Sequence, residues 1–210
     1  MVETQAFYKA LMAGDRDGLI GLVNQELEAG TPAADVLYNG LIPSMDIIGE
    51  QMESGDVFIP EVLMAAQVMA AGVEILQPLL AEGQAKVKGK VVIGTVKGDL
   101  HDIGKNLVAM MMESSGLEVH NIGVDIEPAA FVAKVQETSA DMLCLSALLT
   151  TTMPMMKTTI EAIQEAGLRE QIRILVGGAP VTQDYANQIG ADGFATDAGS
   201  AVKLAKSLLA

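Results

Sequence analysis

Lys90-Val91-Val92-Ile93-Gly94-Thr95-Val96 runs directly into Lys97-Gly98-Asp99-Leu100-His101-Asp102-Ile103-Gly104-Lys105-Asn106, and that into Leu107-Val108-Ala109-Met110-Met111-Met112. The first seven residues are mostly apolar and β-branched, the pattern of a buried strand, and the last six read as the start of a helix. The ten between form the loop that leaves a strand at its carboxyl end. In open α/β sheets that edge is where ligands bind. Here it presents a histidine flanked by two aspartates, so a ligand-contacting loop on an α/β fold is the first expectation.

The same alternation continues to the C-terminus. Strands are expected near 90–96, 117–122, 141–146, 172–176 and 193–195, and helices near 104–115, 128–138, 153–166, 181–188 and 198–209. Five strands separated by helices imply a parallel sheet covered on both faces. Right-handed crossovers then favour a flavodoxin-like (Rossmann-type) sheet of order 2-1-3-4-5.

Residues 1 to 88 read differently, as all helix. Phe7 and Leu11 share one face, and Leu19, Val23 and Leu27 another. Gly30 stops the second helix, and Thr31-Pro32 reads as an N-cap followed by proline at the first helical position. A third stripe holds Tyr38, Leu41, Met45, Ile48 and Met52. After the turn Glu53-Ser54-Gly55-Asp56, a fourth holds Ile59, Val62, Ala66, Met69, Val73, Leu76 and Leu80. Four amphipathic helices with short turns make a small bundle. The linker Gly83-Gln84-Ala85-Lys86-Val87-Lys88-Gly89 divides the two patterns, giving a helical domain over 1–88 and an α/β domain over 89–210.

The totals exclude several functions. Thirteen lysines and arginines against 27 aspartates and glutamates give a net charge of −14, with no basic cluster to bind nucleic acid or an anionic membrane. No apolar run reaches the roughly 18 residues of a membrane span, and no signal pattern opens the chain, so a cytoplasmic protein is expected. The one cysteine, Cys144, lies in a candidate strand and reads as an inert core thiol. The thirteen methionines either fill an ordinary core or line a large ligand.

Three clusters fall at strand ends: the loop around His101, Ser146-Ala147-Leu148-Leu149-Thr150-Thr151-Thr152, and Gly177-Gly178-Ala179-Pro180. All three should converge at one edge of the sheet. Asp99-x-His101 lets a carboxylate reach one ring nitrogen and leaves the other for a ligand, the arrangement common around metal-bound imidazoles; a loop histidine that merely caps the next helix is the plainer reading. His120, the only other histidine, reads as the exposed end of a strand, and no cysteine or second histidine stands at zinc-ligand spacing. Gly98 to Gly104-Lys105-Asn106 has one residue too many for a phosphate loop, and no dinucleotide glycine pattern or serine elbow is present. A metal with one protein ligand and a large pocket would have to arrive inside its own macrocycle.

Asp99-x-His101-x-x-Gly104, then 41 residues, Ser146-x-Leu148, then 28 residues and Gly177-Gly178 closely resembles the cobalamin-binding motif. The family includes cobalamin-dependent methionine synthase and the corrinoid proteins of methyltransferase systems. Pro43-x-Met45, Gly49 and Gly55-x-x-Phe58-Ile59-Pro60 resemble its helical cap domain. The resemblance implies that His101 is the lower axial ligand of cobalt, in the base-off, His-on state. Asp99 would bond the far ring nitrogen, and Thr152, where methionine synthase has serine, would complete a relay able to exchange a proton in step with methylation. Ser146 would bind the nucleotide tail in a channel near Leu148 and floored by Gly104, Gly177 and Gly178. Met52 and Ile59 would cover the upper face, Met52 departing from a familiar phenylalanine, and the linker at 83–89 would be the hinge of the cap.

It further implies a methyl carrier rather than a complete enzyme. One methyltransferase would load it from a donor, a phenyl methyl ether (O-demethylase systems) or a methylated amine ahead of methanol. A second would pass the methyl group to an acceptor such as tetrahydrofolate, and a corrinoid reductive activase would rescue oxidised cobalt. A homodimer is compatible with this role. Two alternatives stand beside it. A cobalamin-sensing regulator would show cobalamin-dependent DNA binding; the small subunit of an adenosylcobalamin-dependent mutase would work with adenosylcobalamin and not with methylcobalamin.

Overall fold

The structure is a computed structural model and describes residues 3–82 and 89–210. Gly83 to Lys88 of the expected hinge, and the side chain of Leu80, lie outside the described residues. Contacts divide the chain into two compact units, Met1–Val87 with Ser114–Gly116, and Lys88–Glu113 with Leu117–Ala210.

The first unit is helical: α1 (Thr4–Met12), α2 (Arg16–Glu28), α3 (Ala33–Val36), a π turn (Leu37–Leu41), α4 (Ile42–Ser54) and α5 (Ile59–Glu82). The third expected helix is thus α3, the π turn and α4 in succession. Asp15 caps α2 by accepting the Gly18 N–H at 2.9 Å, and Gly55 ends α4 at φ +84°, a conformation glycine adopts without steric cost. Phe7, Leu11, Leu19, Val23, Leu41, Met45, Ile48, Val62, Ala66, Met69 and Leu76 are buried, as the stripes require, whereas Ile59 is 47% exposed. Thr31 is not the cap it was expected to be. Its hydroxyl donates to Glu26 Oε2 at 2.7 Å, and Pro32, in an extended conformation, takes the capping position.

Averaged over a window, one described helix nevertheless reaches the length and hydropathy of a membrane span. Ile59–Leu76 of α5 has a mean hydropathy of 1.5 and is long and apolar enough to cross a bilayer by length and composition. Glu61 and Glu74 interrupt the apolar run without breaking the helix. Val62, Ala65, Ala66, Met69 and Leu76 are buried, with α5 packed on α1, α2 and α4, as in the core helix of a bundle.

The second unit alternates β1 (Lys90–Thr95), α6 (Ile103–Ser114), β2 (Glu118–Asn121), α7 (Pro128–Thr138), β3 (Met142–Ser146), α8 (Pro154–Glu165), β4 (Arg173–Gly177), α9 (Gln183–Ile189), β5 (Gly193–Ala195) and α10 (Ala198–Leu209). Every pairing is parallel, in the order β2-β1-β3-β4-β5 expected from the sequence. Val92, Leu143, Leu145, Ile174 and Val176 pack into one core with Phe131, Val135, Met156, Ile160 and Ile163. The alternate positions Val91, Ile93, Cys144 and Leu175 are buried as well, so both sheet faces are covered. α9 starts later than expected because Thr182 caps it, its hydroxyl accepting the Tyr185 N–H at 3.2 Å. His120 lies within β2 rather than at an exposed end; its side chain is 27% exposed, with Nε2 2.9 Å from Glu118 Oε1.

Candidate functional site: a histidine relay at the switch point of the sheet

Strand register sets the site. At the strand ends Thr95 of β1 pairs with Ser146 of β3, and Ser146 pairs with Gly177 of β4, so the three loops that follow leave the sheet side by side. The chain turns from β1 to β2 on one side and places β3 on the other. The loops after β1 and β3 therefore flank the topological switch point, where such sheets bind ligands.

Asp99 is the buried centre of this edge, with no exposed surface. Its Oδ1 accepts the His101 backbone N–H at 3.1 Å and lies 2.7 Å from His101 Nδ1. Its Oδ2 accepts from Leu148 N at 2.7 Å, Leu149 N at 3.3 Å and Thr152 Oγ1 at 2.7 Å. Burial alone would raise the carboxyl, but the hydrogen bonds from His101, Leu148 and Thr152 outweigh it and hold the group well below the usual carboxylate range. An ionised carboxylate only accepts, so Nδ1 carries a proton toward Asp99 and Nε2 is the ring nitrogen left for a ligand. The His101 side chain is 51% exposed. The Thr152 hydroxyl also lies 2.9 Å from the Leu149 carbonyl; with one proton it serves one acceptor at a time, and the charged one binds it more strongly.

Around the imidazole, Leu100, Ile103, Leu148 and Leu149 are exposed by 70, 76, 42 and 42%. Water disfavours such a group of side chains, which suits a surface built to be covered. A Cβ at Gly104 would meet nothing within 4 Å, so space is open there. Gly178 is required for another reason. It sits at φ +130°, and a Cβ would overlap the carbonyl oxygen of Ala147, so its bare backbone lets the loops after β3 and β4 pack together.

A B12 binding domain model matches residues 89–203, and a second model of the same description matches residues 4–77. A dimethylamine corrinoid protein of Methanosarcina acetivorans is 45% identical over 202 residues, covering 96% of this chain and 94% of that one. Among solved structures, a cobalamin-binding protein from Desulfitobacterium hafniense is 32% identical with a TM-score of 0.83, covering 98% of both chains. The methanol:cobalamin methyltransferase complex from Methanosarcina barkeri is 31% identical with a TM-score of 0.84, covering 97% of this chain and 78% of that one.

The chain belongs to the B12-binding corrinoid proteins. Cobalamin binding follows from that membership. In this corrinoid protein, Asp99, His101, Leu148 and Thr152 form one bonded cluster, with Ser146, Gly177 and Gly178 at the neighbouring strand ends. Met52, half-buried on α4, and Ile59, at the start of α5, belong to the helical unit. Cys144 takes no part: burial pushes its thiol up to about 12. Sequence reading missed Thr95, which is buried and donates to the His101 carbonyl at 3.0 Å. Its signal was a hydroxyl in an otherwise apolar strand next to the motif.

Proposed function

We propose that the protein carries a methyl group on cobalt, with Nε2 of His101 as the lower axial ligand in the base-off, His-on state. One observation carries the reading: a half-exposed imidazole whose Nδ1 is fixed 2.7 Å from a fully buried carboxylate. That geometry sets the tautomer and ring orientation that metal-bound histidines need. When bound, the corrin's cobalt supplies the nucleophile that accepts and donates the methyl group.

The residues around it have separate tasks. Asp99 holds the ring through Nδ1 and, with Thr152, forms the relay that takes up or releases a proton in step with methylation. Thr152 stabilises that charge and pins the loop after β3. Leu100, Ile103, Leu148 and Leu149 offer an apolar rest for a flat macrocycle. Ser146, Gly104, Gly177 and Gly178 are assigned to the nucleotide tail, and Met52 and Ile59 to covering the upper face.

The methyl donor proposed is a methylated amine, presented by a separate methyltransferase, because the dimethylamine corrinoid protein matches along nearly the whole of both chains. A phenyl methyl ether has no such support. A second methyltransferase with an acceptor such as tetrahydrofolate, and a reductive activase, complete the system. The test is to load the wild type and His101→Ala with hydroxocobalamin and record their spectra, then to assay methylation of the reduced carrier with a dimethylamine methyltransferase. Loss of the His-on spectrum in the variant is expected; an unchanged spectrum would refute the axial role. Methylation only by an enzyme specific for phenyl methyl ethers would overturn the donor class alone.

A further inference from the structure

The loop that carries His101 is held from a second side by Asp125, a residue in the neighbouring loop after β2. Asp125 sits at φ +56°, a left-handed conformation shared among the described non-glycine residues only by Ser139. Aspartate and asparagine tolerate that conformation better than other side chains. Its backbone N–H donates to the Asp99 carbonyl at 3.0 Å, and its Oδ1 accepts the Gly98 N–H at 2.7 Å. One residue thus brackets Gly98-Asp99 through both its backbone and its side chain. Nearby, Val96 bridges Ile126 in parallel fashion, and Lys97 Nζ lies 2.5 Å from Glu127 Oε1. The two loops are therefore tied together at successive positions, with Asp125 bonded to Gly98 and Asp99 just before His101.

We propose that Asp125 is a positioning residue for His101. It fixes the backbone of Asp99, so that one carboxylate can hold the imidazole on Oδ1 and the loop after β3 on Oδ2 at the same time. A backbone held in a sparsely populated conformation persists only where its surroundings enforce it, and such residues gather at functional sites. The inference rests on the axial role of His101 proposed above, but concerns a residue outside the cobalamin motif.

The test uses the full chain and three variants. Asp125→Asn keeps an oxygen acceptor and the tolerated backbone. Asp125→Gly keeps the backbone freedom and removes the acceptor; Asp125→Ala removes the acceptor and strains the backbone. Amide exchange is measured on the protein before loading, and the spectrum after loading with hydroxocobalamin. In the Gly and Ala variants the Gly98 amide is expected to exchange about tenfold faster, and part of the bound cobalamin to lose its His-on spectrum, while Asn behaves as wild type. Wild-type spectra in the Gly and Ala variants would overturn the inference, as would an Asn variant as impaired as Gly. A lowered melting temperature with an intact spectrum and intact Gly98 protection would also overturn it, because the role would then be structural only. His101→Ala, run in parallel, separates the two readings: if its spectrum is unchanged the axial role fails, whereas a changed one beside wild-type Asp125 variants sinks the positioning role alone.

Discussion

Asp99 gathers five donors from two loops onto one buried carboxylate, which makes it the most demanding residue of the sheet unit. Replacing it by alanine removes the acceptor of the Leu148 N–H and leaves the Thr152 hydroxyl only the Leu149 carbonyl. Asp99→Ala is expected to lower the unfolding free energy by about 3 kcal/mol, measured by urea denaturation. The pH dependence has a definite sign. The folded carboxyl lies below its ordinary value of 3.8, so below about that pH the unfolded chain binds the extra proton. The contribution of Asp99 is present at neutral pH and lost as pH falls below about 4. The capping carboxyl of Asp197 is also held low, burial being outweighed by bonds from Ser200 and Thr196, and acts in the same direction. Acid titration of the melting temperature should show the loss in the wild type and a shallower one in Asp99→Ala. Cys144, raised to about 12 by burial, is expected to stay unreactive toward thiol reagents in the folded protein and to react fully in denaturant.

At the scale of elements, the strand ends decide what the loops can do. Gly178→Ala would drive a Cβ into the carbonyl of Ala147 at a backbone angle that disfavours any side chain. A loss of more than about 2 kcal/mol is expected. Because Ala147 adjoins Leu148, whose N–H binds Asp99, the His-on spectrum should weaken as well, a result that calorimetry and spectroscopy together would check. The two glycines look identical in sequence, yet only Gly178 is required by this close approach; at Gly177 a Cβ would meet the Ala195 carbonyl at an ordinary 3.4 Å. The strands and helices of this unit were legible because apolar residues alternate or recur at 3.6 over long runs. The π turn at Leu37–Leu41 was not. Tyr38, Leu41, Met45, Ile48 and Met52 keep the three- and four-residue spacing of an α-helix, so the stripe reads as unbroken.

For the molecule as a whole, cobalamin is expected to act as a stabiliser of the folded state. Free cobalamin at about 100 times its Kd should add about 2.7 kcal/mol, raising the midpoint of thermal unfolding; loading His101→Ala under the same conditions should add less. The sequence by itself determined the parallel sheet, its strand order and the cobalamin motif with its candidate residues, because each is a matter of local periodicity or of short fixed spacing. Only the tertiary structure decided that Asp99 faces two loops at once, that Thr95 holds the carbonyl of His101, and that Asp125 brackets Gly98 and Asp99. The Asp99 and Asp125 contacts join separate loops, and even the short-range Thr95 bond depends on how the loop folds back on its strand, which no single stretch of sequence encodes.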